Sequence, residues 1–252
     1  MFAPEDLTDD KFLCGKLQLL QPRKGYRAAT DPVLLAAAVP ARSGQSVLDL
    51  GCGAGAAALC LATRVSGLAL AGLEVQPAYA ALARMNAARN GVALEVVEGD
   101  LSHIPNVLRR GFDHVIANPP YYAPDGTPSP LHSRDTALRV GVPLSVWVQV
   151  ATRRLNPQGW LTMILSADRL PDVMAGFSPQ MGSVAVLPLA ARQNRAAGRV
   201  IVQARKGGRA PFRLLAPLIL HRGDAHDGDR ESYTPIANAV LRDGSDLLAQ
   251  IG

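Results

Sequence analysis

Val47-Leu48-Asp49-Leu50-Gly51-Cys52-Gly53-Ala54-Gly55 is a short apolar run that breaks into glycine at every second position. Alternate glycines let a chain take positive φ and leave no side chain where a ligand presses against backbone. Such a turn closes a buried strand, Ser46–Leu50, and opens an alanine-rich helix over Ala54–Thr63. A plain tight strand-to-helix turn has the same composition, so the neighbouring residues must decide what it serves.

Outward from the turn the alternation continues. Leu68–Leu73, ending at Glu74, predicts a second strand. Pro77–Asn90 predicts a helix, with proline where a missing N–H is tolerated and Asn90-Gly91 as its stop. Ala93–Val97, closed by Glu98-Gly99-Asp100, is a third strand, and Phe112–Ala117 a fourth with Asn118 at its carboxyl end. Leu144–Leu155 reads as a helix and Trp160–Leu165 as a fifth strand. Val184–Leu189 and Arg199–Ala204 read as an antiparallel terminal hairpin. Ala123–Thr136, rich in Pro, Gly and Ser, is expected as a loop longer than a plain connector. Strands separated by helices run parallel, so the expected class is α/β, a doubly wound and mostly parallel sheet.

Residues 46–206 carry that sheet. Residues 1–45 are a leader whose short helix, Pro32–Val39, is capped by Thr30 or Asp31. Residues 207–252 are expected as a basic extension on the core, with a last helix opened by Thr234-Pro235 and closed by Gly244.

A chain of 252 residues at 48% hydrophobic supports one sizeable core. Its net charge of +5 is unevenly spread: Val173 to Gly223 holds no Asp or Glu. Arg192, Arg195, Arg199, Arg205 and Lys206 fall in that stretch and read as a phosphate-binding rim, against the plainer alternative of a solvated face. Three cysteines without ligand spacing read as reduced thiols in a cytoplasmic protein. The opening Met1–Asp6 is acidic and lacks the basic and apolar regions of a secretory signal. Runs such as Val33–Val39 are too short to span a bilayer.

Asp49 sits just before the glycine turn, where it would repel the pyrophosphate of NAD. Dinucleotide turns also space their glycines as Gly-x-Gly-x-x-Gly, unlike Gly51, Gly53 and Gly55. Beside the cationic sulfonium amino acid of S-adenosylmethionine the same carboxylate is favourable. Glu74 suits a pair of ribose hydroxyls, and Asp100 an adenine amino group. Their position at successive strand ends favours ligand roles over plain polar strand ends.

Asn118-Pro119-Pro120-Tyr121 supplies the chemistry. Two prolines end a strand, as in any turn. They also stiffen an extended segment and remove two successive N–H groups, leaving carbonyls and the Asn118 amide oxygen. An acceptor-rich site fits an N–H₂ group whose lone pair is delocalised into a ring and needs help to attack. Tyr121 would stack on a planar substrate, and Tyr122 is either a second stacking surface or core. His103 and His114 read as surface or rim residues. His221 and His226, near Asp224, Asp227 and Asp229, read as a solvated loop, and no metal is expected.

Val47–Gly55 together with Asn118–Tyr121 resembles the class I S-adenosylmethionine-dependent methyltransferases of the amino-group type, over roughly residues 25–205. The resemblance implies a seven-stranded Rossmann-like sheet. More narrowly, Lys24-Gly25-Tyr26-Arg27 followed by Thr30-Asp31-Pro32-Val33-Leu34-Leu35 is similar to the bacterial valine-tRNA adenine N6-methyltransferase family. Arg199–Lys206 and Tyr233-Thr234-Pro235 are similar to it as well. That likeness implies Arg27, Thr30 and Asp31 near the methionine end of S-adenosylmethionine. It implies Asp49, Gly51, Gly53, Glu74, Asp100 and Asn118 as cofactor contacts, with Asn118, Pro119, Pro120 and Tyr121 holding the target amine. The implied partner is tRNA, at the adenine next to the anticodon. Where the family carries an alanine/arginine-histidine-glutamate-like run, this chain has Leu131-His132-Ser133-Arg134-Asp135.

Other planar amines remain open as targets. A protein-glutamine N-methyltransferase of the release-factor kind uses the same four residues, although it usually carries a helical N-terminal domain for which the leader has no room. An rRNA guanine N2-methyltransferase is a further enzyme reading, and an RNA-docking protein without catalysis is the non-enzyme one.

Overall fold

A computed structural model describes residues 2–120, 142–223 and 232–248. The parallel core is built from strands β3 (Ser46–Leu50), β4 (Ala69–Glu74), β5 (Leu94–Glu98), β6 (Phe112–Ala117) and β7 (Leu155–Ser166). Two strands ahead of them, β1 (Leu7–Phe12) and β2 (Leu17–Pro22), form a separate antiparallel hairpin. Beyond β7 come β8 (Met181–Ala190) and β9 (Arg199–Lys206), and then the two-residue strands β10 (Arg213–Leu214) and β11 (Leu218–Ile219). The main sheet has the order β10-β8-β9-β7-β6-β3-β4-β5, with β11 also on β8. The helices are α1 (Asp31–Ala38), α2 (Ala56–Arg64), α3 (Pro77–Arg89), α4 (Leu144–Arg154), α5 (Leu170–Gly176) and α6 (Pro235–Asn238).

Both faces of the sheet are covered, so its central strands are apolar on both sides. Val47, Leu70, Ile116, Ile164 and Ile201 point into a cluster with α1 and α2. Leu48, Leu73, Val115, Leu161 and Val202 point the other way, against Trp147, Val148 and Ala151 of α4. The sheet is doubly wound and mostly parallel, and β8 pairs antiparallel with β9, as the sequence predicts. Its seven long strands gain two short ones because the chain after Gly207 returns along the outer edge of β8. That covers an edge otherwise open to pairing.

The leader departs most from expectation. Its hairpin turns at Leu13-Cys14-Gly15, with φ of 50°, 54° and 85°, where only Gly15 advertises a left-handed backbone. The buried Asn86 of α3 docks the hairpin: its Nδ2 donates to the carbonyls of Leu20 and Ala54, and its Oδ1 accepts from Leu20 N–H. Leader and tail share one core, since Leu13 and Leu17 join Leu218, Val240, Leu241 and Leu247. Among the described residues no helix is long and apolar enough to cross a membrane.

Candidate active site

Strand register assembles the site. Leu50 lies beside Leu73 and Ala117, so the next residues, Gly51, Glu74 and Asn118, emerge together at one edge. Glu74 pairs with Glu98, which brings Gly99 and Asp100 to the same edge. This is the carboxyl end of the parallel strands, where open α/β sheets bind ligands.

Two hollows open there and meet at Gly51 and Asn118. One is lined by Glu74, Asp100, Leu101, Pro120 and Trp147. The other is lined by Asp49, Cys52, Gln21, Tyr26, Ala28 and Pro32. The turn between them needs its glycines: Gly51, Gly53 and Gly55 have φ of 67°, 56° and 87°. A Cβ at Gly51 would lie 2.7 Å from Trp147 Cη2.

Two buried carboxylates hold this turn. Glu74, 2% exposed, accepts Gly53 N–H at 2.8 Å on Oε2 and Gln76 N–H at 2.9 Å on Oε1. A carboxylate oxygen can accept more than one hydrogen bond, so such a group can also serve a hydroxyl. Asp49, also 2% exposed, accepts from Ala58 N–H in the first turn of α2, a helix whose N-cap Gly55 offers no side chain. Its Oδ2 is buried without a hydrogen-bond partner. Burial pushes the Asp49 carboxyl up to about 8; the Ala58 N–H opposes the rise, and nearby Glu74 adds to it. Burial, with Asp49 and Glu74 behind it, also lifts the Cys52 thiol well above its ordinary value, so no thiolate nucleophile stands here. Asp100 is held below the usual carboxylate range by the hydroxyl and N–H of Ser102, both at 2.6 Å from Oδ1.

The raised Asp49 value makes a stability prediction. Between about pH 4 and 8 the folded, ligand-free protein holds one proton more than the unfolded chain, so stability falls as pH rises through that window. Asp49→Asn removes the proton uptake. Its melting temperature should exceed that of the parent by a margin that widens toward pH 8, at up to about 1.4 kcal/mol per pH unit. A margin that stays constant with pH would contradict the assignment.

Asn118 is oriented by residues the sequence reading left without a role. Its Nδ2 donates to Tyr26 Oη at 3.1 Å. Tyr79 Oη donates to the Tyr26 carbonyl at 3.1 Å, and the Tyr79 ring stands edge-on to Phe2 with centroids 5.2 Å apart. Gln21 clamps the loop below Tyr26: Ala28 N–H donates to its Oε1 at 2.7 Å, and its Nε2 donates to the Ala28 carbonyl at 3.2 Å. Tyr26 stood in the quoted run Lys24–Arg27, and Trp147 was legible only as an apolar helix position.

The remaining expected residues divide. Arg27 does not line either hollow; its guanidinium pairs with Asp10 at 2.6 Å and donates to Thr8 Oγ1 and the Pro22 carbonyl. Thr30 is the N-cap of α1 through its backbone, without a side-chain cap bond. Asp31 is paired with Arg199 at 3.3 Å. Pro119 follows Asn118 and is buried, while Tyr121, Tyr122 and the expected 123–136 loop lie outside the described residues, as do His132 and Arg134. His114 is not a rim residue: it is buried in β6 beside Gln45, and burial pushes its imidazole down to about 4.

The basic stretch does not make one surface. β9 runs antiparallel to β7, so Arg199 faces Ser166 at the site edge while Arg205 faces Trp160 at the opposite end. Lys206 donates to the Thr152 and Leu155 carbonyls, and Arg205 to that of Gln158. Arg192 is buried against the carbonyls of Arg222 and Gly223. Arg195 is exposed in the β8–β9 turn, at the site edge.

Comparison with known proteins agrees with this geometry. The Methyltransferase small domain family matches residues 29–177. The tRNA1(Val) (adenine(37)-N6)-methyltransferase of Actinobacillus succinogenes is 30% identical over 200 residues, 77% of this chain and 83% of that protein. The enzyme of the same name from Dickeya chrysanthemi is 27% identical over 229 residues, 88% of each. A crystal structure from Agrobacterium tumefaciens, described as a predicted O-methyltransferase, superposes with a TM-score of 0.68 at 26% identity, covering 85% of this chain and 97% of that one. With a glycine turn, two strand-end carboxylates and an asparagine converging on one cleft, this chain belongs to the Methyltransferase small domain family and is an S-adenosylmethionine-dependent methyltransferase.

Proposed function

We propose that the protein methylates the exocyclic N6 amino group of an adenine in the anticodon loop of a tRNA. The observation that carries this reading is the placement of Asn118 where the two hollows meet, with Pro120 lining the one that holds Glu74 and Asp100. The relatives' activity on adenine N6 of a valine tRNA supports the choice of base and of RNA.

The cleft fits the cofactor on its own chemistry. The half with Glu74 and Asp100 presents acceptors for ribose hydroxyls and an adenine amino group. The half with Asp49 presents a buried oxygen that lacks a partner, suited to the cationic amino-acid end. Gly51 lines both halves, and a Cβ there would press against Trp147 at 2.7 Å. Arg27, Thr30 and Asp31 act from behind the second half, through the hairpin and the pair with Arg199. When bound, S-adenosylmethionine supplies an electrophilic methyl group on a sulfonium.

The chain's own part is to hold the nucleophile. In this reading Asn118 Oδ1 and the Pro119 carbonyl accept the two N–H bonds of the amine, which turns the nitrogen lone pair toward the reacting centre. The same acceptors stabilise the positive charge that grows on nitrogen as its bond to carbon forms. Holding both reactants in line lowers the barrier by roughly 7–11 kcal/mol. The proton leaves nitrogen afterwards to solvent. Tyr121 would stack on the base. Because the acceptors grip a Watson–Crick edge, the adenine must be unpaired, as in a loop.

Incubation with tritiated S-adenosylmethionine and either bulk RNA or a release factor should label the RNA, and its digestion to nucleosides should yield labelled N6-methyladenosine. Label in a release factor, or in N2-methylguanosine, would replace this substrate with one of the other planar amines.

A further inference from the structure

A third hollow, of about 210 Å³, opens beyond Leu101, which also lines the cofactor cleft. Leu101, Ile104 and Val150 form its apolar wall, and Arg109, Arg153 and Arg154 enter it from two segments. Helix α4 connects the two hollows: Trp147 lines the cleft, while Val150, Arg153 and Arg154, three, six and seven positions on, line the cavity. Seven residues of helix advance about 10 Å.

The cations are arranged rather than merely nearby. Arg109 Nε donates to the Ile104 carbonyl at 2.9 Å and an Arg154 terminal nitrogen to the Leu108 carbonyl at 3.4 Å, so backbone fixes both stems. Arg153 is exposed in the last turn of α4. Among the described residues the lining contains no carboxylate, and Arg110, next to Arg109 in sequence, is already paired with Glu95. Three guanidiniums around one cavity repel one another until an anion enters, and their fork geometry matches phosphate oxygens. The apolar wall suits the sugar carbons beside such a group.

We propose that this cavity is a phosphate-binding site, separate from the transfer cleft and joined to it through Leu101 and α4. Given the RNA substrate inferred above, on which this source of the phosphate rests, the group is one of the RNA backbone. A free mononucleotide carries the same chemistry.

Two arms distinguish these sources, with the parent protein compared to Arg109→Gln, Arg153→Gln and the double variant, and with cofactor affinity as the check on folding. In the first arm, tRNA binding is followed between roughly 50 and 200 mM salt. The double variant should bind about 10-fold more weakly, with a salt slope shallower by about one to two. In the second arm, uridine 5′-monophosphate, which lacks the adenine that the transfer cleft would take, is titrated and followed by phosphorus NMR, and binding should be lost in the double variant. A response in the tRNA arm assigns the backbone, and one in the nucleotide arm alone assigns a free nucleotide. Variants that match the parent in both arms, or a parent that takes up neither ligand, overturn the proposal. Failure of the parent to bind tRNA while it binds the nucleotide strikes the RNA reading and leaves the phosphate site standing.

Discussion

Asn118→Ala should lose methyl transfer by about 10²–10³-fold or more while cofactor affinity stays within a few-fold. The truncation removes one of the two acceptors assigned to the amine, and with it the hydrogen bond to Tyr26 Oη that fixes the amide. It leaves intact the contacts that shape the cofactor turn, since Glu74 holds Gly53 independently. Asn118 follows β6 and is only half-buried, so the fold should survive with little change in melting temperature. Single-turnover rates and a separate cofactor titration would check the split between chemistry and binding. Retained turnover would remove Asn118 from the reaction and with it the reading of the Asn-Pro-Pro segment as an amine clasp.

Glu74→Ala should show the opposite pattern, with cofactor affinity falling by about 100-fold or more and stability falling with it. The side chain is buried and carries two charge-assisted bonds from Gly53 and Gln76 N–H, each worth about 1.5–3 kcal/mol. Their loss strands two buried donors and frees the glycine turn to move away from the end of β4. The proposed ribose contact disappears at the same time. Glu74→Gln separates the effects, because the amide keeps one acceptor for a backbone N–H but turns an N–H₂ toward the other. Calorimetry gives the stability and cofactor titration the affinity. Unchanged affinity in a folded variant would mean that Glu74 only braces the turn.

The central sheet was legible because its strands are buried on both faces. Val47–Leu50 and Phe112–Ala117 are unbroken apolar runs apart from Asp49, Asp113 and His114, and the predicted and observed Phe112–Ala117 coincide. The strand-end residues Gly51, Glu74, Asp100 and Asn118 were legible for the same reason, since register carries them to one edge once the strands are known. The leader hairpin was not. Leu7-Thr8-Asp9-Asp10-Lys11-Phe12 is half-solvated and polar, and its strand character comes from pairing with β2, which the distant Asn86 holds through Leu20. Tertiary context overrides local composition there. The arginines were legible as charge but not as surface: antiparallel β9 sends Arg199 and Arg205 to opposite ends, and backbone carbonyls engage Arg192 and Lys206. Nothing in the spacing of Arg109, Arg153 and Arg154 hints that they share a cavity, because α4 and the segment after β5 are brought together only by packing.

The row Phe2, Tyr79, Tyr26, Asn118 ties Phe2 to Asn118 through one ring contact and two hydrogen bonds. On the proposed role of Asn118, an affinity handle fused ahead of Phe2, or a protease nick in the opening residues, should lower turnover as well as stability. Purification schemes for this enzyme should place their handles elsewhere.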